Sequence, residues 1–203
     1  MAEAASLIEK YRVDGGVDLS KAAEIHHNIL SFKPEWESYE ATKSAAHVMK
    51  LLEADAPAIK NKAMIQGHMQ VLQACMGVMS MRDDKPIQWL LTLFYDMLRE
   101  DSSSYAIFDE AAKQKIEVYK PLLALLLRPG LDNYTADKVA WLLSAVMSHA
   151  PHIATEANVK EFLSAILDSS KTSCSELGQL EAITNLLKGD LYRKLVWSFE
   201  GVG

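Results

Sequence analysis

A chain of 203 residues with 49% apolar and 24% charged side chains has the balance of a globular protein and the length to bury a sizeable core, so disorder as its main state is excluded. A net charge of −6 without any run of clustered Lys and Arg offers nothing to phosphate backbones or anionic lipid, so no nucleic acid is expected as partner. The longest apolar run, residues 122–127, falls far short of the ~20 residues that cross a bilayer, and Glu3 and Glu9 stand where a signal peptide would be basic, so no direct membrane insertion is expected.

In chain order the sequence reads as helices separated by short breaks and never as strand. Residues 2–11 form a short, weak helix ended by Asp14, Gly15 and Gly16, so residues 1–18 are expected to be a weak or mobile N-terminal segment. Asp18 or Ser20 opens the next helix, through Ile25, Ile29 and Leu30. Pro34 starts a turn of helix holding Trp36 and Tyr39, and Thr42 opens another carrying Ala46, Met49 and Leu52. Pro57 begins a long helical run to about Ser80, where Val71, Leu72, Cys75, Met76 and Met79 recur at three and four.

Residues 84–111 are the organising stretch. Asp84 can accept from the first free backbone N–H groups, Pro86 sits where a helix tolerates a missing donor, and Ile87, Leu90, Leu91, Phe94 and Leu98 follow the ~3.6-residue period. Trp89 and Leu93 add a second apolar line, so this helix is expected to be covered on more than one side. Asp101 and three serines break it, and a second helix carries Ile107, Phe108 and Ala111. Residues 116–127 form a helix stopped by Pro129 and Gly130. Asn133 or Thr135 caps the following one, whose stripe is Val139, Leu142, Leu143, Val146 and Met147, closed by Pro151. Asn158 with Glu161, and Ser173 with Glu176, have capping-box spacing. The last helices run to Gly189 and, from Asp190, through Leu195 and Trp197.

Connections this short force each helix onto its neighbour in sequence. Trp-Leu-Leu occurs at Trp89 and again at Trp141, and a third doubly apolar helix centres near Ile183, offsets close to the ~40 to 47 residue period of HEAT and armadillo repeats. The expected fold is all-α, a right-handed α-solenoid of armadillo/HEAT-like helical repeats over residues 19–203; an irregular helical bundle is the rival.

Signals for chemistry are sparse. His149 and His152 are broken apart by Pro151, and the other histidines have no paired spacing, so no metal site is expected. Gly15-Gly16 lacks the Lys-Ser or Lys-Thr of a phosphate loop, and no Ser, His and Asp arrangement is signalled, so neither cofactor nor catalytic residue is expected. Cys75 and Cys174 read as buried reduced thiols, and the Met-rich run 64–81 reads more readily as core filling than as an adaptable groove.

The segment Ile87-Gln-Trp-Leu-Leu-Thr-Leu-Phe-Tyr-Asp-Met-Leu-Arg-Glu100, continued by Ile107-Phe-Asp-Glu-Ala111, resembles the H subunit of the V-type proton-pumping ATPase. Lys21-Ala-Ala-Glu24 with Trp36-Glu-Ser-Tyr39, and Cys174 onward to Tyr192-Arg193, Trp197 and Gly201-Val202, resemble earlier and later blocks of that family. The resemblance implies a non-catalytic regulatory subunit, the amino-terminal solenoid of a longer chain truncated at Gly203, with fraying or self-association at that end. It implies a cytoplasmic protein held on the cytosolic face of vacuolar or endosomal membranes through the complex. It further implies partners in the peripheral stalk, the E and G subunits, and in the catalytic and membrane sectors, with control of ATP hydrolysis coupled to proton transport. An armadillo-like adaptor in protein traffic is the alternative. The expected contact is an acidic and aromatic surface of the early repeats, Trp36, Tyr39, Tyr95, Asp96 and Glu100, with core packing as the competing use of Trp36 and Tyr39.

Overall fold

The computed structural model describes residues 19–54, 60 and 68–199. The expected helix at 2–11, the Asp14–Gly16 joint, Pro57 and the terminal Gly203 lie outside the described residues. Among the described residues every regular element is helical, and the elements pack as a succession of neighbours, an arrangement compatible with a helical solenoid.

The first helix, α1, is Leu19–Ser31. Residues 34–42, expected to add a turn of helix, run instead through hydrogen-bonded turns in which Tyr39 O accepts from both Thr42 N (3.1 Å) and Lys43 N (2.9 Å). The wholly buried Thr42 hydroxyl donates to Trp36 O at 2.5 Å, and a side chain that engages the backbone in this way holds a turn in place of a helix. Thr42 accordingly caps nothing. Two 3₁₀ turns, Lys43–Ala45 and Lys50–Glu53, flank the single turn α2 (Ala46–Met49), and Met49 and Leu52 are wholly buried there.

In α3 (His68–Met79), Val71, Leu72, Cys75 and Val78 are wholly buried and Met76 and Met79 nearly so, which makes this part of the Met-rich run core filling. The central helix α4 (Asp84–Glu100) buries both expected apolar lines, Ile87, Leu90, Leu91 and Phe94 on one and Trp89 and Leu93 on the other. Each such leucine contributes about 1.5–3 kcal/mol relative to exposure. Its cap is Asp83, accepting from Lys85 N at 3.2 Å, and not Asp84, whose carboxylate is taken by Arg128. Asp101 then accepts from Ser103 N and opens the 3₁₀ turn Ser102–Tyr105, which leads into α5 (Ala106–Lys113).

The next helix starts later than its apolar pattern predicts, at Tyr119 in α6 (Tyr119–Leu126). Lys115 takes φ 59°, and Ile116 N donates to Ala111 O (2.9 Å) while Lys115 N donates to Ala112 O (3.1 Å). These two bonds are a Schellman closure of α5, which reverses the chain before α6 can begin. Gly130, at φ 76°, supplies the turn after α6.

Helix α7 (Asn133–His149) packs against α4, α6 and α9 (Glu176–Lys188), while α10 (Asp190–Trp197) packs against α9 and α8 (Glu156–Leu167). Their caps also sit beside the expected positions: Asp132 for α7, Thr155 reciprocated by Asn158 for α8, Ser175 for α9 and Gly189 for α10. His26 of α1 reaches Asp96 of α4 across 70 residues, whereas from α3 onward side-chain bonds that tie one part of the stack to the next join residues 38 to 47 apart in sequence, from Asp137–Ser175 to Arg128–Met81. That interval matches the ~40 to 47 residue spacing of stacked helical repeats.

Candidate partner-binding surface

Once its two apolar lines are buried, α4 has one remaining face, and this carries Tyr95, Asp96, Arg99 and Glu100. Tyr95 is half-buried and lies edge-on to Trp141 of α7, with ring centroids 4.6 Å apart. Lys138 Nζ sits 3.1 Å above the Tyr95 ring and 5.4 Å from that of Tyr134. The Arg99 guanidinium stacks on Tyr95 at 4.8 Å and donates to its hydroxyl at 2.5 Å. Two cations on aromatic faces make a stiff platform, since both rings are held by packing and the long side chains lose their freedom by stacking.

The charges here are shaped mainly by burial. Burial draws the Lys138 ammonium down to about 8, against the pull of Glu181 and Asp96. Burial raises Glu181, with Lys138 and Arg99 opposing, and it raises the Tyr95 hydroxyl, with the Glu181 charge adding to it. Asp96 is bonded to His26 of α1, Nε2 to Oδ2 at 3.0 Å. Glu100 is exposed.

Trp36 and Tyr39 form a separate aromatic group. Trp36 is wholly buried, edge-on to Trp89 (5.5 Å) and Tyr39 (6.3 Å), and its indole N–H donates to Glu53 at 2.8 Å. Its side chain therefore reaches no surface and belongs to the core. Tyr39 is half-buried, with its hydroxyl donating to Asp83 at 3.5 Å and raised by burial and by that carboxylate. Of the five residues singled out in the sequence, Tyr95, Asp96 and Glu100 share one helix face, and Trp36 and Tyr39 stand apart from them around Trp89.

Sequence reasoning overlooked Arg99, Lys138, Trp141 and Glu181, which complete the platform. The spacing of Tyr134, Lys138 and Trp141 at four and three puts them on one face of α7, a signal within reach of the sequence. That this face meets Tyr95 is decided only by packing. Nucleophilic chemistry has little support: burial pushes the Cys75 thiol up to about 12 and the Cys174 thiol higher still, so both stay protonated. His149 is spent in stacking on Tyr105 at 3.7 Å. Among the described residues no group of three or more His, Cys, Asp or Glu could hold a metal ion, and no described helix is long and apolar enough to cross a membrane.

Compared with known proteins, the chain matches the family model of the V-ATPase H subunit over residues 20–203. Neither a curated protein nor a solved structure matches.

Proposed function

The chain belongs to the V-ATPase H-subunit family, a family of regulatory, non-catalytic subunits, and from that premise we propose that it braces the soluble ATP-hydrolysing sector against the peripheral stalk and membrane sector. The observation that carries this reading is the family match across residues 20–203. The 38 to 47 residue interval of the cross-stack bonds from α3 onward supports an armadillo/HEAT-like solenoid, which we take to be right-handed, a rod stiff along its length that can hold two parts of a rotary machine at fixed separation. In this role it works on the cytosolic face of vacuolar or endosomal membranes and regulates ATP hydrolysis coupled to proton transport, with the stalk's E and G subunits as direct partners.

The contact is assigned to the Tyr95, Asp96 and Glu100 face, with Tyr39 standing apart from it beside Asp83 and Trp36 buried in the core. A half-buried tyrosine among charges has the anatomy of an interface anchor. Two experiments test the reading at its two levels. A pull-down from cell extract is expected to recover stalk and catalytic subunits; recovery of trafficking cargo without them defeats the ATPase role. Charge reversal at Asp96 and Glu100 is expected to weaken binding to the E–G heterodimer about fivefold or more, and unchanged affinity removes the contact from this face.

A further inference from the structure

A cleft of about 290 Å³ opens where α4, α7 and α9 end together, beyond the Tyr95 platform. Its floor is apolar, made by Leu98, Trp141 and Ala145, and its rim carries Arg99, His149 and Lys188 with the hydroxyls of Ser102 and Ser148. Among the described residues no carboxylate lines it. The reason basic residues collect here is ordinary, since three helix C-termini concentrate partial negative charge and favour cations in their last turns. Yet neither fixed cation is used on those carbonyls. Arg99 is turned back onto the Tyr95 hydroxyl, and Lys188 Nζ donates to Asn185 Oδ1 at 2.9 Å. Among the described residues neither has a carboxylate oxygen within 4.0 Å, although Glu181 stands near enough to feel both charges. In a chain of net charge −6, this is a cationic rim that, among the described residues, no carboxylate lines.

We infer that this cleft is a docking seat for an acidic side chain of a partner polypeptide, the carboxylate held by Arg99 and Lys188 and its methylenes laid on Trp141 and Leu98. Charge complementarity argues for an anion, because two fixed cations and two hydroxyls face one space that no described carboxylate fills. The apolar floor argues for a side chain with carbon to bury over a bare oxyanion, which would leave Leu98, Trp141 and Ala145 uncovered. Asn185, 4% exposed, bonds Ser144 Oγ at 3.3 Å and keeps the α7 and α9 walls at fixed separation, so the seat is formed before anything enters.

The test uses the 203-residue chain and a fluorescein-labelled hexaglutamate peptide, followed by anisotropy at low salt, and involves no ATPase subunit, so its outcome is independent of the function proposed above. Arg99→Gln with Lys188→Gln is compared with Lys113→Gln with Lys120→Gln, a pair on α5 and α6 that changes net charge equally. Matching circular dichroism and melting curves establish that both variants fold. The expected result is saturable binding weakened about tenfold or more in the first variant and by less than about twofold in the second. Absence of binding to the unaltered chain, or equal weakening in the two variants, overturns the seat. Displacement of the peptide by equimolar inorganic phosphate overturns the assignment to a polypeptide carboxylate.

Discussion

The two seams of the central layer are built differently. Between α4 and α7 the polar stitching runs from the surface inward: Gln88 donates to Asp132 and Thr135 at 3.1 Å each, and the wholly buried Thr92 shares a 2.8 Å bond with Tyr134, while Arg128, in the loop after α6, reaches Asp84 and Met81 O. Between α7 and α9 it is more deeply set. Asp137 accepts from both Ser175 N (2.8 Å) and Ser175 Oγ (2.7 Å), and buried Asn185 meets Ser144 and Trp141 O. Exposed pairs exchange one set of water bonds for another and contribute little, whereas a buried pair that loses one member leaves the other unsatisfied. The outer pairs of the first seam, Gln88 with Asp132 and Arg128 with Asp84, should therefore tolerate substitution, and the buried pair of the second should not.

The largest effect is expected from Gly178→Ala. A methyl group there would run into the Asp137 carboxylate and its Cβ, and moving that side chain gives up both Ser175 bonds and the orientation of the α9 cap. A loss of about 2–3 kcal/mol in urea unfolding is expected, and a loss under about 0.5 would show that the α7–α9 seam yields easily. Asn185→Ala should cost about 1–2 kcal/mol, with a double-mutant cycle against Ser144→Ala revealing coupling.

Lys138 lies between the seams and tests them through pH. Its folded pKa of about 8 is below the ordinary 10.5, so at pH 7 the proton is held in both states and the full cost of burying the charge is present. Between about 8 and 10.5 the unfolded chain keeps the proton that the folded chain has released, and stability rises with pH. Lys138→Met is expected to add about 1 kcal/mol at pH 7, after the lost cation–π contacts are set against the relief of desolvation. Its advantage over the unaltered chain should shrink from pH 8 toward pH 10; an advantage that is flat with pH would contradict the buried charge. Smallest of all, Gln88→Ala at the outer edge of the first seam should change stability by less than about 0.5 kcal/mol, since Thr135 keeps its bond to Asp132, and a larger loss would erase the contrast between the seams.

Much of the architecture was legible because it rests on local rules. The apolar period of α4, the stop at Pro129 and Gly130, and the break at Gly189 all stand where the residues predict. The caps did not follow so simply, and particular contacts explain why. Asp83 and Asp84 are equally able to cap α4, but Arg128 claims Asp84. Ser173 and Ser175 both precede Glu176, but Asp137 of α7 fastens Ser175 by its backbone and hydroxyl. The repeated Trp-Leu-Leu is likewise one signal with two outcomes. Trp89 turns to Trp36 in the core, its indole N–H without a hydrogen-bond partner among the described residues, while Trp141 turns to Tyr95 beside the cleft. The partner surface was half legible. Tyr95, Asp96 and Glu100 share a helix face by spacing alone, but the burial of Trp36 and the arrival of Lys138 over Tyr95 depend on elements that only folding brings together.

By itself the amino-acid order determined that the described chain is helical and where most helices stop, because apolar period, proline and glycine act through the few residues around them. Only the tertiary structure decided which polar residue caps each helix, which aromatics are hidden, and that Arg99 and Lys188 border one cleft. Those outcomes depend on distances between helices far apart in sequence, and such distances are set when apolar faces find the neighbours that cover them.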